Sequence, residues 1–215
     1  MADKPSSLRS RVIAAARDLA ATGLSPQMSG NVSARHGDTI LITPSGIPYT
    51  ELSPDDISEI AMDGEVLAGP HAPSSEWQMH AAIYEAFPEA GGIVHAHSGF
   101  ATVLAVMKRE IPPFHYMVAV AGGRNIRVAD YATFGTAELA QNAVAALQGR
   151  RASLLAHHGQ IAFGPTVEAA LHLAHEVETL ATQYFHALQL GEPDLLSDEE
   201  MALNVEKFRT YGRRP

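Results

Sequence analysis

The chain has 215 residues and a mass of 23.0 kDa, 46% of them apolar and 18% charged, so it has the length of one domain with a sizeable core and is too hydrophobic for a disordered polymer. Its 15 Lys and Arg against 24 Asp and Glu leave a formal charge of −9, which repels nucleic acid and anionic membranes; Arg213-Arg214 is a basic pair that reads as a solvated tail. The absence of cysteine excludes a disulfide framework, a thiolate nucleophile and a Cys-held metal, so any metal must be held by His and carboxylate.

Leu8, Val12, Ala15, Ala16 and Leu19 follow helical spacing and predict an amphipathic helix from Ser7 to Leu24, with Ser6 or Ser7 as its cap and Gly23 as its stop. Arg17 and Asp18 break the apolar run that a secretory signal needs, and no stretch reaches the roughly 18 apolar residues of a membrane span, so the expected location is the cytoplasm. Short strands follow at Asn31 to Arg35, Thr39 to Thr43, Ile57 to Met62 and Glu65 to Leu67, joined as hairpins by His36-Gly37-Asp38 and Asp63-Gly64. A helix is predicted from Ser75 to Phe87, with Ser74-Ser75 as cap and Pro88 as stop, then a strand from Gly92 to His97 and a helix from Ser98 to Met107. Tyr116 to Ala121 reads as a further strand, Thr136 to Leu147 as a helix, and Ala152 to Ala156 and Gln160 to Phe163 as buried strands. Long helices from Thr166 to Leu190 and from Ser197 to Thr210 complete the chain. Interleaved strands and helices predict an α/β layered domain over residues 1–215, and the early hairpins require a sheet that is not purely parallel.

Eleven histidines concentrate the chemistry. His95 and His97 project from the same face of a strand, because strand side chains alternate with period two. Chance alone gives about 0.6 His-x-His pairs in a chain of this composition, so the pair needs company. Glu76 and His80 supply it at i, i+4 on the preceding helix, and His157-His158 supply it at the end of another apolar strand. Adjacent strand residues point to opposite faces, so at most one of that pair can join His95 and His97. Three imidazoles with an open fourth position and a carboxylate nearby suit catalytic zinc; the competing reading is a set of satisfied core or surface histidines. A cupin would carry a Glu shortly after His-x-His and a metallo-β-lactamase an Asp where Gly99 stands, and neither pattern is met.

Three segments have the composition of an anion cradle that uses no cation: Ser29-Gly30-Asn31, Thr43-Pro44-Ser45-Gly46 and Ser74-Ser75. Backbone N–H groups, hydroxyls and a helix N-terminus can hold phosphate, although each segment also reads locally as a turn or a cap.

Gly30-Asn31-Val32-Ser33, Thr43 to Tyr49, Pro73-Ser74-Ser75-Glu76-Trp77, Val94-His95-Ala96-His97 and Leu155-Ala156-His157-His158-Gly159 resemble the class II aldolase/adducin family in order and spacing. His115 to Met117, Ala121 to Gly123, Tyr131 to Thr136, Ala174 to Glu178 and Glu206 to Gly212 extend the resemblance over nearly the whole chain, toward the bacterial branch that cleaves L-fuculose 1-phosphate. The resemblance implies that His95, His97 and His158 hold one zinc ion per subunit, with other divalent ions also accepted, and that Glu76 is the catalytic carboxylate, which also approaches the metal without substrate. It implies a substrate-phosphate site at Gly30, Asn31, Ser45, Gly46, Ser74 and Ser75, a proton-donating Tyr116 from a neighbouring subunit, and a Tyr211 that closes over the site. It further implies a three-layer α/β/α sandwich around a mixed, largely antiparallel sheet, and a homotetramer with active sites at subunit interfaces. The implied reaction is reversible cleavage of a ketose 1-phosphate to dihydroxyacetone phosphate and an aldehyde, L-lactaldehyde if the ketose is L-fuculose. Family members acting as 4-epimerases, dehydratases or decarboxylases on other sugar phosphates are the alternatives, together with a non-enzymatic adducin-like module.

Overall fold

A computed structural model describes residues 5–26 and 28–210. Eight strands form one sheet in the order β4-β3-β2-β1-β5-β8-β7-β6. The strands are β1 (Asn31–His36), β2 (Thr39–Ile42), β3 (Ser58–Ala61), β4 (Val66–Ala68), β5 (Gly92–Ala96), β6 (Val128–Ala129), β7 (Ala152–Leu155) and β8 (Gly159–Gly164). Every pairing is antiparallel except that of β6 with β7. Helices α1 (Pro5–Thr22), α3 (Gly99–Val106) and α5 (Val167–Leu190) pack on one face, and α2 (Trp77–Ala86) and α4 (Ala137–Leu147) on the other. This is the expected three-layer α/β/α sandwich with a mixed, largely antiparallel sheet. A last helix, α6 (Asp198–Thr210), packs against the Tyr116–Ala121 segment.

Alternation along the central strands decides which side chains meet which layer. On β1, Val32 and Ala34 enter the core shared with α1 and α5, while Asn31 and Ser33 point toward α2. On β5, Val94 and Ala96 join the first core and Ile93 the second, so His95 lies on the α2 side. Register places Asn31 directly opposite His95 across the β1–β5 pair and Ile161 opposite it across β5–β8. The α2-facing side around His95 is therefore assembled by strand pairing between segments more than 60 residues apart in sequence.

Beyond shifts of a residue or so at strand ends, two helix starts and the type of one segment differ from those expected. Helix α1 is already formed at Pro5, upstream of the expected serine cap, while Gly23 ends it with φ of +78°. Helix α2 begins at Trp77, with Glu76 as the N-cap residue, so Ser74 and Ser75 lie in the turn before it. The Tyr116–Ala121 segment is a 3-10 helix and no strand. His115 Nδ1 accepts from the Met117 amide at its start, Gly122 in the left-handed region closes it, and Val118, Ala119 and Ala121 turn inward at helical rather than alternating spacing. The two-residue β6 was not anticipated, being too short to carry a periodic pattern.

Candidate active site

The three candidate ligands arrive from two places. His95 ends the inward series of β5, and His97 continues the alternation one residue past the strand. The Ala156–His158 segment is a turn between β7 and β8, with His157 in the left-handed region at φ +56° and the His158 amide donating to the Leu155 carbonyl. The expected strand geometry for His157-His158 is thus replaced by a turn, with the same outcome that one member joins the cluster. His158 turns back over His95 and His97, whereas His157 packs edge-on against Tyr131. Gly159 allows this turn to sit on β5, since a Cβ there would collide with the Ala96 carbonyl.

The rings of His95, His97 and His158 lie 4.7–4.9 Å apart, each edge-on to the others, and their ligand atoms fall within 4.8 Å of one another. His95 Nδ1 donates to the Gln160 carbonyl at 2.7 Å, which fixes Nε2 as the nitrogen facing the cluster. That Nε2 stands 3.0 Å from His97 Nε2 and 3.2 Å from Glu76 Oε2, and His158 Nε2 lies 3.3 Å from Glu76 Oε1. Burial and the neighbouring imidazoles push the pKa of His97 down to about 3 and, with His95 as the principal neighbour, that of His158 to about 4. Burial also opposes charge on His95, but Glu76 outweighs it and raises that pKa. Glu76 is the converse: burial would raise its carboxyl, yet His95, His158 and the Asn31 amide hold it well below the usual carboxylate range. Its Oε1 is buried without a hydrogen bond. Three converging imidazole nitrogens, two of them on rings held neutral, beside an under-coordinated carboxylate are the donor set that a divalent ion takes, so these residues fit a metal.

The cradle residues come together beside this cluster. The Ser45 amide donates to Ala72 and the Ser74 amide to Thr43, which ties the 43–46 loop to the 72–74 turn. The Ser45 hydroxyl donates to the Pro73 carbonyl. Gly30 sits where a Cβ would strike the Ser25 side chain and the His95 carbonyl, so its backbone can approach the floor of the site. Gly30, Asn31, Ser45, Gly46, Ser74, Ser75, Glu76, His97 and His158 line one pocket of about 410 Å³, with His95 fully buried beneath it. Sequence reading did not anticipate the apolar part of the lining, Met28, Ile47, Tyr131 and Phe134; the last two lie in an irregular loop with no periodic pattern to mark their direction.

Tyr116 stands apart from this pocket. It is 49% exposed and lines a separate depression with Met117, Asn204, Lys207 and Phe208. Tyr211 lies outside the described residues. No helix among the described residues is long and apolar enough to cross a membrane.

Known proteins share this architecture. The family described as class II aldolase and adducin N-terminal domain matches residues 10–185. Over 205 residues the chain is 53% identical to the 5-methylthioribulose-1-phosphate/5-deoxyribulose-1-phosphate aldolase of Rhodospirillum rubrum, covering 95% of this chain and 92% of the relative. It is 46% identical over 208 residues to the L-fuculose phosphate aldolase of Escherichia coli, covering 96% of each. A solved L-fuculose 1-phosphate aldolase superposes with a TM-score of 0.92 at 42% identity, covering 94% of this chain and 96% of the other.

Proposed function

The chain belongs to the class II aldolase and adducin family, and from that premise we propose that it is a zinc-dependent aldolase cleaving a ketose 1-phosphate whose far end is apolar. One observation carries the reading: a single pocket holds the three imidazoles and Glu76 together with the serine- and glycine-lined cradle. A phosphorylated ketose needs both, an anion site for its phosphate and a polarising, proton-moving site for its carbonyl end.

In this reading His95, His97 and His158 hold the ion, and Glu76 completes the ligand set in the absence of substrate. When bound, the ion supplies Lewis acidity to the ketose carbonyl. Asn31, Ser45, Ser74 and Ser75 bind the phosphate through hydroxyl and amide groups, with the backbone at Gly30 and Gly46 shaping the cradle, and so fix the distance between phosphate and reacting carbon. In the synthetic direction Glu76 accepts a proton from the hydroxymethyl carbon of dihydroxyacetone phosphate, and Tyr116 gives its proton to the aldehyde oxygen. Cleavage runs the two transfers backwards. Tyr116 serves the pocket of the adjacent subunit in a fourfold homotetramer, a reading supported by its exposure and its absence from the lining of its own chain's pocket. Tyr211 closes over the completed site.

The substrate's far end faces Met28, Ile47, Tyr131 and Phe134, an apolar lining that suits a methyl or methylthio terminus. 5-Methylthioribulose and 5-deoxyribulose 1-phosphates are the first choice, because the relative at 53% identity carries those substrates in its name. L-Fuculose 1-phosphate, the substrate expected from sequence, is the second reading; it is favoured by the relative at 46% identity and the structure at TM-score 0.92, and it too ends in a methyl group. The test is release of dihydroxyacetone phosphate from all three ketose phosphates by the purified protein, before and after chelation and with zinc restored. Chelator-sensitive release that zinc restores is expected, with kcat/KM ranking the substrates. No release from zinc-loaded protein on any of the three overturns the reading.

A further inference from the structure

His80 lies four residues past Glu76 on α2, fully buried against β1, and takes no part in the three-imidazole cluster. Its Nε2 is 2.5 Å from Asn31 Oδ1 and its Nδ1 is 2.6 Å from Ser33 Oγ. A carboxamide oxygen can only accept, so Nε2 carries the proton and Nδ1 accepts from the Ser33 hydroxyl. That hydroxyl, its proton committed, accepts from the Tyr84 hydroxyl 2.9 Å away. With Oδ1 engaged by His80, the Asn31 Nδ2 donates to Glu76 Oε2 at 3.0 Å. The donors therefore run in one direction, from Tyr84 through Ser33, His80 and Asn31 to the Glu76 carboxylate, and every member is buried.

An Asn amide is nearly symmetric in shape, and the reversed orientation would set its oxygen against the carboxylate and toward any anion in the pocket. The proton on His80 Nε2 at one end of the amide and the Glu76 carboxylate at the other select the same orientation, and His80 holds the oxygen end. Burial and the nearby His95 push the pKa of His80 down to about 3, which keeps the ring in the neutral form this chain requires.

We propose that His80 is a positioning residue for the aldol reaction, locking the Asn31 amide in the one orientation in which Nδ2 can serve both the Glu76 carboxylate and the substrate phosphate. The amide's second N–H is then available to the anion in the pocket that Asn31 lines. The assignment rests on the aldolase reading above.

The test is a double-mutant cycle on the zinc-loaded protein with His80→Leu, Asn31→Ala and the double variant, plus His80→Gln, which keeps an N–H directed at Asn31. Readouts are kcat and KM for the best of the three ketose phosphates and the affinity for inorganic phosphate. His80→Leu is expected to lower kcat/KM by about 10- to 100-fold and to weaken phosphate, as loss of an orienting partner does at comparable sites. His80→Gln should recover most of the loss, and removing His80 should change little once Asn31 is Ala. Additive effects in the cycle, or wild-type kinetics and phosphate affinity in His80→Leu, overturn the proposal. Should His80→Leu fail to fold, long-range ¹H–¹⁵N correlation spectra of wild-type protein decide: a His80 ring protonated at Nε2 across neutral pH supports the lock, and one protonated at Nδ1 overturns it. Wild-type protein that cleaves none of the three ketose phosphates overturns the aldolase reading instead, and the phosphate affinities and the His80 tautomer then still decide whether the Asn31 lock exists.

Discussion

Glu76 and His97 line the same pocket but are expected to fail in different ways when altered. Glu76→Gln keeps the shape and the Asn31 contact while removing the proposed proton-moving group, so metal content and phosphate affinity should survive while kcat falls by about 10²- to 10⁴-fold. His97→Ala removes one of the three proposed ligands, so metal analysis after dialysis should find a deficit before any assay is run. Wild-type turnover in Glu76→Gln, or a full complement of metal in His97→Ala, would mean that the roles are misassigned. These residues were legible because period two predicts the common face of His95 and His97 from spacing alone. The choice of His158 over His157 was not open to that logic, since the pair sits in a turn where alternation does not apply and His157 takes a left-handed backbone. Asn31 and Ser33 hid their second role for a related reason. A polar stripe on a strand reads as a solvent face, yet α2 covers it, so that Asn31 links His80 to Glu76 and Ser33 links His80 to Tyr84.

Between elements, what anchors the layers is mostly apolar packing, and ionic ties are few enough to test singly. Arg11 of α1 grips Glu168 in the first turn of α5 through both carboxylate oxygens, with Nε to Oε1 at 2.6 Å and a second contact from Nη2 to Oε2. The Arg11 hydrogen bonds are the main reason the Glu168 carboxyl falls to about 2, from an ordinary 4.5. A depressed carboxyl stabilises the fold fully above its unfolded pKa, and that contribution fades as pH drops from about 4.5 toward 2. Because the Glu168 side chain is 57% exposed, solvent screening limits the pair to about 0.5–1 kcal/mol. Glu168→Gln should therefore lose about that much in urea unfolding at pH 7, and the gap to wild type should shrink at pH 3.5; a gap of equal size at both pH values would exclude the pair as its source. Most helices and strands were readable at this scale because their periodicity is long and clean. Tyr116–Ala121 was misread because six apolar-rich residues fit either a buried strand or a tight helix, and only the His115 and Gly122 ends distinguish them.

At the scale of the whole molecule, strand order explains why the candidate site residues could be named from sequence but not assembled from it. Asn31 meets His95 only because β1 pairs with β5 across the hairpin strands and α2 that separate them in the chain, and no local pattern specifies that register. Subunit geometry lies one step further out. Tyr116 is exposed and outside its own pocket, so if it completes a neighbour's site, two inactive variants should rescue each other. Glu76→Gln chains retain Tyr116, and Tyr116→Phe chains retain Glu76. In randomly mixed closed rings, a pocket with Glu76 occurs with probability one half and receives an intact Tyr116 with probability one half, so about a quarter of wild-type activity should return after co-refolding equal amounts. Each variant refolded alone should stay near its own low rate. If Tyr116 acts within its own chain, every site in the mixture lacks one of the two groups and no activity returns. Mixed assemblies that form, as judged by differentially tagged chains co-purifying, but remain inactive would remove Tyr116 from the shared site.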